Sequence, residues 1–158
     1  MAEAHFVLAS AFKQISQPQA ALNEVLSLLQ YQEARKEDAE TWSYWKRRTG
    51  NQLGNEFYEQ GDFDSALKIY QAMARLSDDP NWLWPSLYQM GLCFERLRLT
   101  VKAVDAYDLI INGADTVQKN GVKLPETLAD IVEQVKWRRD HLNWQSDTQD
   151  QLQQIMAK

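Results

Sequence analysis

The chain has 158 residues, with 17 lysines and arginines against 22 aspartates and glutamates, so its formal net charge is −5. This length fits one domain with its own core, and the acidic balance disfavours a general nucleic-acid binder, which needs a basic surface to displace counterions. Cys93 is the single cysteine, which excludes an internal disulfide and disfavours a thiolate metal site.

Helical periodicity runs through almost the whole sequence. Apolar residues recur at three- and four-residue steps and the alternation typical of strands is absent, so an all-α fold is predicted. The predicted helices cover about 2–15, 19–35, 37–59, 63–76, 82–97, 101–111 and 125–157, with loops at 77–80 and 112–123. A break in the last helix near Ser146 is left open. The four prolines are interpreted as helix starts or connections: Pro18, Pro80, Pro85 and Pro125.

No targeting or membrane segment is visible in the sequence. The first residues lack the charged and apolar regions of a signal peptide, and no run approaches the roughly 20 apolar residues of a membrane span. The compartment stays open, as does the question whether the chain is a domain of a longer protein.

An internal repeat is the strongest pattern in the sequence. Five residues recur 37 positions later with the same residue character, as Leu53, Gly54, Phe57, Ala66 and Tyr70 are followed by Met90, Gly91, Phe94, Ala103 and Tyr107. Two antiparallel helices that cross closely need small residues at the crossing, with aromatic rings beside it. Each copy is therefore predicted to be a helix hairpin. Gly61 suits the turn of the first hairpin, whereas Arg98 stands at the matching place in the second.

At these residues the chain resembles the tetratricopeptide repeat family, in particular its bacterial members, whose unit is a helix-turn-helix of about 34 residues. A third, weaker copy lies 45 residues before the Gly54 copy, at Leu8, Ala9, Phe12, Ala21 and Val25. The resemblance implies a single domain over 1–158, with a weak repeat at 2–35, repeats at 47–77 and 84–114, and a capping helix at 125–157. It also implies a right-handed α-α superhelix of stacked hairpins.

The last helix is predicted to close the stack. Its apolar positions are Leu128, Ile131, Val132, Val135, Leu142 and Trp137, and its other side is charged, as a terminal repeat requires for solubility. In the first helix, Phe6, Leu8, Phe12 and Ile15 are the expected apolar side.

Ligands of this family bind along the surface made by the first helix of each hairpin. The resemblance therefore implies a partner-binding face with nine residues, called here the predicted binding face: Arg48, Asn51, Asn55, Tyr58, Glu59, Tyr88, Leu92, Glu95 and Arg96. Asn55 is similar to an asparagine with which many members bond a peptide backbone. The carboxylate clamp of chaperone-binding members is not supported, because Phe6, Ser10, Pro85 and Gln89 stand at its places.

The sequence contains no recognisable signature of catalysis or of cofactor or metal binding. Cys93 lies in a predicted buried helix face, where an inert thiol is the expected state. The acidic pairs Asp62 with Asp64 and Asp78 with Asp79 stand at helix starts, where aspartate caps backbone amides. The basic clusters are interpreted as solvated helix faces and comprise Lys46, Arg47 and Arg48, and Arg138 and Arg139.

Six tryptophans are many for this length, and they form three close pairs, Trp42 with Trp45, Trp82 with Trp84, and Trp137 with Trp144. Gap-filling between helices is favoured over a docking surface, and Trp82 or Trp84 is the best candidate for an exposed ring because both lie near a loop.

The sequence thus favours a non-enzymatic scaffold that binds a protein or peptide partner, with no cofactor, no nucleic acid and no membrane span. Self-assembly into a homodimer through the long third helix and the tail is the alternative. An enzyme with a small-molecule pocket is the least favoured hypothesis, because no titratable cluster converges.

Overall fold

The computed structural model describes residues 2–31 and 39–156, and within those ranges the chain forms helices and turns without a β-strand. The helices are α1 Ala2–Gln14, α2 Pro18–Gln30, α3 Ala39–Glu59, α4 Phe63–Ala74, α5 Pro80–Arg96, α6 Thr100–Lys119 and α7 Glu126–Met156. The predicted all-α fold is therefore confirmed for the described part of the chain.

Three helix pairs, α1–α2, α3–α4 and α5–α6, are joined by turns of the same backbone geometry. Each turn contains a residue with positive φ, which is Ser16 at 59°, Gly61 at 82° and Arg98 at 59°. The next backbone N–H donates to a carbonyl five residues earlier, in the bonds Gln17 to Phe12 at 2.8 Å, Asp62 to Phe57 at 3.0 Å and Leu99 to Phe94 at 2.9 Å. These are Schellman helix ends, and they recur at the two spacings of the sequence repeat, 45 and 37 residues.

Small residues let the two helices of each pair approach closely. A Cβ on Gly54 would lie 2.8 Å from the ring of Tyr70, and one on Gly91 would lie still closer to the ring of Tyr107. The alanines expected at the crossings have no exposed surface, namely Ala9, Ala21, Ala66 and Ala103. Equivalent residues of the repeat therefore have equivalent surroundings, because the same steric need recurs in each pair.

The pairs pack on one another in chain order. The first pair contacts the second through α1 with α3 and α2 with α4, and the second contacts the third through α4 with α5. One hydrophobic cluster extends from Ala9 in α1 to Leu142 in α7. The last helix packs on both α5 and α6 and buries Leu128, Val132 and Val135 of its predicted apolar positions, whereas Trp137 is exposed.

Two aspartates cap helix starts. The Asp62 side chain accepts a hydrogen bond from the Ser65 backbone at 3.1 Å, and Asp79 accepts one from the Asn81 backbone at 2.9 Å. Both bonds satisfy amides that have no partner inside their helix, so the predicted capping role is confirmed for these two residues. Pro85, in contrast, lies inside α5 and not at a start or connection. Proline has no backbone N–H, so Pro85 removes one hydrogen bond near the N-terminal end of α5. The loss of helix stability is limited because only this one bond is missing.

The predicted loop at 112–123 is wrong, because α6 continues to Lys119. Gly113 is not a turn residue but a point of close approach, where a Cβ would lie 3.1 Å from the Trp84 ring. The helix ends at Lys119, and Gly121 in the turn that follows has a φ of 74°, which glycine adopts without steric cost. The last helix runs through Ser146 without a break.

Three smaller expectations also change. In α1, Leu8 and Ile15 are exposed, and Ala2 and Ala9 take the buried positions, because α1 meets its neighbours through small residues. The second helix ends at Gln30, short of the predicted boundary. The predicted helical residues at 32–35 and 37–38 lie outside the described residues.

Candidate interaction surface

The predicted binding face contains two exposed asparagines on α3. Asn51 and Asn55 are exposed and stand one turn apart on α3, so their side chains share one face of the helix. The Tyr70 hydroxyl donates to Asn55 Oδ1 at 2.6 Å. This bond occupies the carbonyl of the carboxamide and leaves its NH₂ group as a donor toward solvent. Burial raises the pKa of Tyr70, so this hydroxyl keeps its proton at neutral pH.

Tyr58 connects this face with the next helix pair. Its ring meets Phe63 edge to face with centroids 5.2 Å apart, and the Arg96 guanidinium lies 4.8 Å from the centroid of the same Phe63 ring. Burial raises the pKa of Tyr58, although the positive charge of Arg96 acts in the opposite direction. Tyr58 is partly buried, and Glu59 and Arg96 are exposed. This part of the face therefore combines an aromatic ring with one negative and one positive side chain.

The α5 part of the face is held by α7. Glu95 accepts a hydrogen bond from the Tyr107 hydroxyl at 2.5 Å, and both of its oxygens lie 3.2 Å from Arg138 of α7. The Tyr88 hydroxyl donates to Gln134 at 2.8 Å. Burial raises the pKa of Tyr107, and its hydrogen bond to Glu95 adds to that effect. Tyr88 and Glu95, which were expected to contact a ligand, therefore already form hydrogen bonds with side chains of α7.

The remaining members of the face differ in setting. The Arg48 side chain donates to the Tyr44 hydroxyl at 2.8 Å, and its guanidinium lies 5.3 Å from the centroid of Phe6. Leu92 is partly buried. The structure thus brings Asn51 and Asn55 together as an exposed pair and joins Arg48 to an aromatic cluster with α1.

The tryptophans are arranged differently from the prediction. Trp82 and Trp84 are 8% and 3% exposed, whereas Trp137 and Trp144 are 66% and 62% exposed. The expectation of exposure fails because both rings pack against neighbouring helices. The indole N–H of Trp82 donates to the Met73 carbonyl, and the Trp84 ring lies against Gly113 of α6. On α7 the ring of His141 stacks on Trp137 at 5.4 Å and on Trp144 at 6.1 Å.

Sequence reasoning also missed a basic groove at the opposite end of α3. The cluster at Lys46 and Arg47 is more than a solvated face, because the Arg47 guanidinium lies 4.7 Å from the centroid of the Trp82 ring. Lys46 donates to the Tyr31 carbonyl at 2.7 Å. Arg47 and Trp82 are far apart in sequence, so no local pattern predicts their contact, and only the folded structure reveals it.

The one cysteine of the chain is inert in the structure. Cys93 has no exposed surface, and burial raises the pKa of its thiol to about 12. Within residues 2–31 and 39–156, no cluster of histidine, cysteine or carboxylate side chains has the geometry to hold a metal ion. No helix in those ranges combines the length and the apolar composition that crossing a bilayer requires.

Comparison with known proteins gives no relative to set beside this geometry. No family model, no curated protein and no solved structure matches the chain.

Proposed function

We propose that the chain is a tetratricopeptide-type right-handed solenoid that holds an extended or helical segment of a partner protein, without catalysis. The support is the recurrence of one helix-end geometry and one glycine–tyrosine crossing at the spacings of the repeat. Stacked helix pairs of this kind form extended surfaces that bind other proteins. The functional step rests on analogy with that family, since a fold by itself does not name a partner.

The observation that carries the proposed mode of binding is the hydrogen bond from Tyr70 to Asn55 Oδ1. A carboxamide fixed in this way presents its NH₂ group in one orientation, so less side-chain entropy is lost when it donates to a ligand carbonyl. Asn51, one turn away, supplies a second amide, and the Tyr58 edge supplies contact area. The ligand contact is centred on α3, because the Tyr88 and Glu95 side chains of α5 already form hydrogen bonds with side chains of α7.

The test is affinity capture from extracts of the source cells, with immobilised wild type compared with a variant carrying Asn51→Ala and Asn55→Ala. Asn112→Ala with Asn143→Ala is the matched control, because it removes two exposed carboxamides from α6 and α7. We expect the first variant to lose the partners that wild type and control retain. Recovery of the same partners at equal yield by all three proteins contradicts the assignment.

Self-assembly remains a second candidate function, and one observation favours it. The end of α7 exposes four large apolar side chains, Trp144, Leu152, Ile155 and Met156, at 55–86% of their surface. Light scattering coupled to gel filtration tests it. A monomer mass that does not change with protein concentration counts against a homodimer.

A further inference from the structure

A groove of about 770 Å³ opens where the ends of α2 and α4 meet the starts of α3 and α5. Its volume lies within the roughly 300–1,000 Å³ of typical ligand clefts. Ser43 of the groove and Asn55 of the predicted binding face are 12 residues apart on α3, which corresponds to about 18 Å along the helix. The groove is therefore centred away from the Asn51 and Asn55 pair, although Arg48 of the predicted binding face follows Arg47 of the groove directly in sequence.

One wall of the groove is aromatic. The Tyr31 and Trp42 rings stack with centroids 4.4 Å apart and planes 9° from parallel, and Tyr31 is 42% exposed. Leu29 and Trp82 contribute buried apolar surface, and the indole N–H of Trp82 donates to the Met73 carbonyl at 2.7 Å, which fixes the ring. This wall can receive an apolar or aromatic side chain by stacking and burial.

Among the other described lining residues, three are cationic, one is a carboxylate and the rest are neutral. Arg47 and Arg75 both line the groove and are exposed, and neither forms an ion pair within 4 Å in the described part of the chain. Lys46 also lines the groove, where its ammonium donates to the Tyr31 carbonyl at 2.7 Å. The one carboxylate among the described lining residues is Asp79, whose Oδ1 already accepts two hydrogen bonds from Asn81. A positive groove thus lies on a chain whose net charge is −5.

We propose that this groove binds an acidic linear segment of a partner protein, with carboxylates at Arg47 and Arg75 and an apolar side chain against Tyr31 and Trp42. Charge complementarity favours this occupant, because the acidic remainder of the surface repels such a segment and leaves the groove as its place of attraction. A nucleic acid fits less well, since a long polyanion would meet the negative surface on either side. The proposal does not depend on the predicted binding face.

The test begins with selection of binders from a random dodecapeptide phage library on the immobilised full chain. Selected sequences are synthesised with a fluorescein label, and their binding is measured by fluorescence anisotropy. We expect selected peptides to be enriched in aspartate and glutamate relative to the library and to carry an apolar residue. Their affinity should fall as NaCl is raised from 0.1 to 0.5 M, because salt screens exposed charges.

Three variants locate the binding. Arg75→Glu should weaken the selected peptides by about tenfold, since a favourable charge becomes a repulsive one. Lys68→Glu makes the same charge change at an exposed position of α4 outside the groove and should leave affinity within about twofold. Tyr31→Ala removes the aromatic wall and keeps the backbone carbonyl that Lys46 bonds, so it should weaken binding by about five- to tenfold.

Specific results overturn the proposal. These are a selection that yields no peptide tighter than about 100 µM, binders without acidic enrichment, or Arg75→Glu equal to Lys68→Glu. Binders lost in Asn51→Ala with Asn55→Ala but kept in Arg75→Glu would support the predicted binding face and reject the groove. A labelled single-stranded DNA dodecamer is measured in parallel, and binding of this probe in place of the peptides would reassign the groove to nucleic acid.

Discussion

At the scale of single residues, Cys93 shows how burial controls chemistry. It has no exposed surface, and desolvation raises the pKa of its thiol to about 12. At pH 8 the thiol is therefore almost entirely protonated, and the thiolate is the reactive form. We expect native Cys93 to react with Ellman's reagent at least about 100-fold more slowly than a cysteine introduced by Ser146→Cys on the exposed end of α7. Absorbance at 412 nm measures both rates, and similar rates in native protein would contradict the buried site.

Arg98 carries the steric cost of the third hairpin turn. Its φ of 59° lies in the left-handed region, which costs a residue with a Cβ roughly 1–2 kcal/mol and costs glycine little. Arg98→Gly should stabilise the fold by about 0.5 kcal/mol, because relief of strain outweighs the added freedom of the unfolded chain. Gly61→Ala should destabilise it by about 1 kcal/mol. Urea unfolding measures both free energies.

The control for this pair is Arg98→Ala, which removes the long side chain and keeps the Cβ. It should give no stabilisation, because the backbone strain comes from the Cβ and not from the guanidinium. An equal gain from Arg98→Ala and Arg98→Gly would show that the side chain, and not φ, sets the cost.

At the scale of helices, the sequence predicts hairpins well where local chemistry determines them. A larger residue at Gly54 or Gly91 would clash with the tyrosine of the facing helix. The same close contact therefore explains both the glycine in the sequence repeat and the packing of the two helices. The end of α6 could not be predicted in this way. Gly113 and Gly121 are alike in sequence, yet one faces Trp84 inside a helix and the other has positive φ at a turn. Only tertiary contact distinguishes them.

The attachment of α7 to α5 tests the energetics at the same scale. Arg138 meets both oxygens of Glu95 at 3.2 Å, with side chains 31% and 22% exposed. A double-mutant cycle of Glu95→Ala and Arg138→Ala should give a coupling free energy of about 1 kcal/mol, because the pair is partly shielded from water.

Arg139 and Asp108 form the matched control, since they join α7 to α6 at 3.1 Å with the carboxylate 41% exposed. Their coupling should be about 0.3 kcal/mol, as for other exposed ion pairs. Thermal or urea unfolding of each set of four proteins supplies the values. Equal couplings for the two cycles would show that shielding does not strengthen the Glu95–Arg138 contact.

At the scale of the whole molecule, the predicted binding face and the basic groove differ in how much of each can be predicted from the sequence. Asn51 and Asn55 were expected from the family resemblance alone, which assigns ligand contacts to the first helix of each hairpin. The groove requires Tyr31, Arg47 and Arg75 from three separate helix ends to lie around one space. No sequence periodicity predicts that these three side chains lie together, because their proximity depends on the relative placement of α2, α3 and α4.

The exposed end of α7 gives the last prediction. From Asn143 to Met156 no side chain is buried, and Leu142 is the last residue of the helix in the core. Removal of residues 146–158 should therefore change the free energy of unfolding by less than about 0.5 kcal/mol. Leu142→Ala, the control inside the core, should cost about 2 kcal/mol. Urea unfolding is measured at two protein concentrations at least tenfold apart. A loss above about 1 kcal/mol on truncation that grows with concentration would mean that a second copy covers this helix end, because only association makes stability depend on concentration.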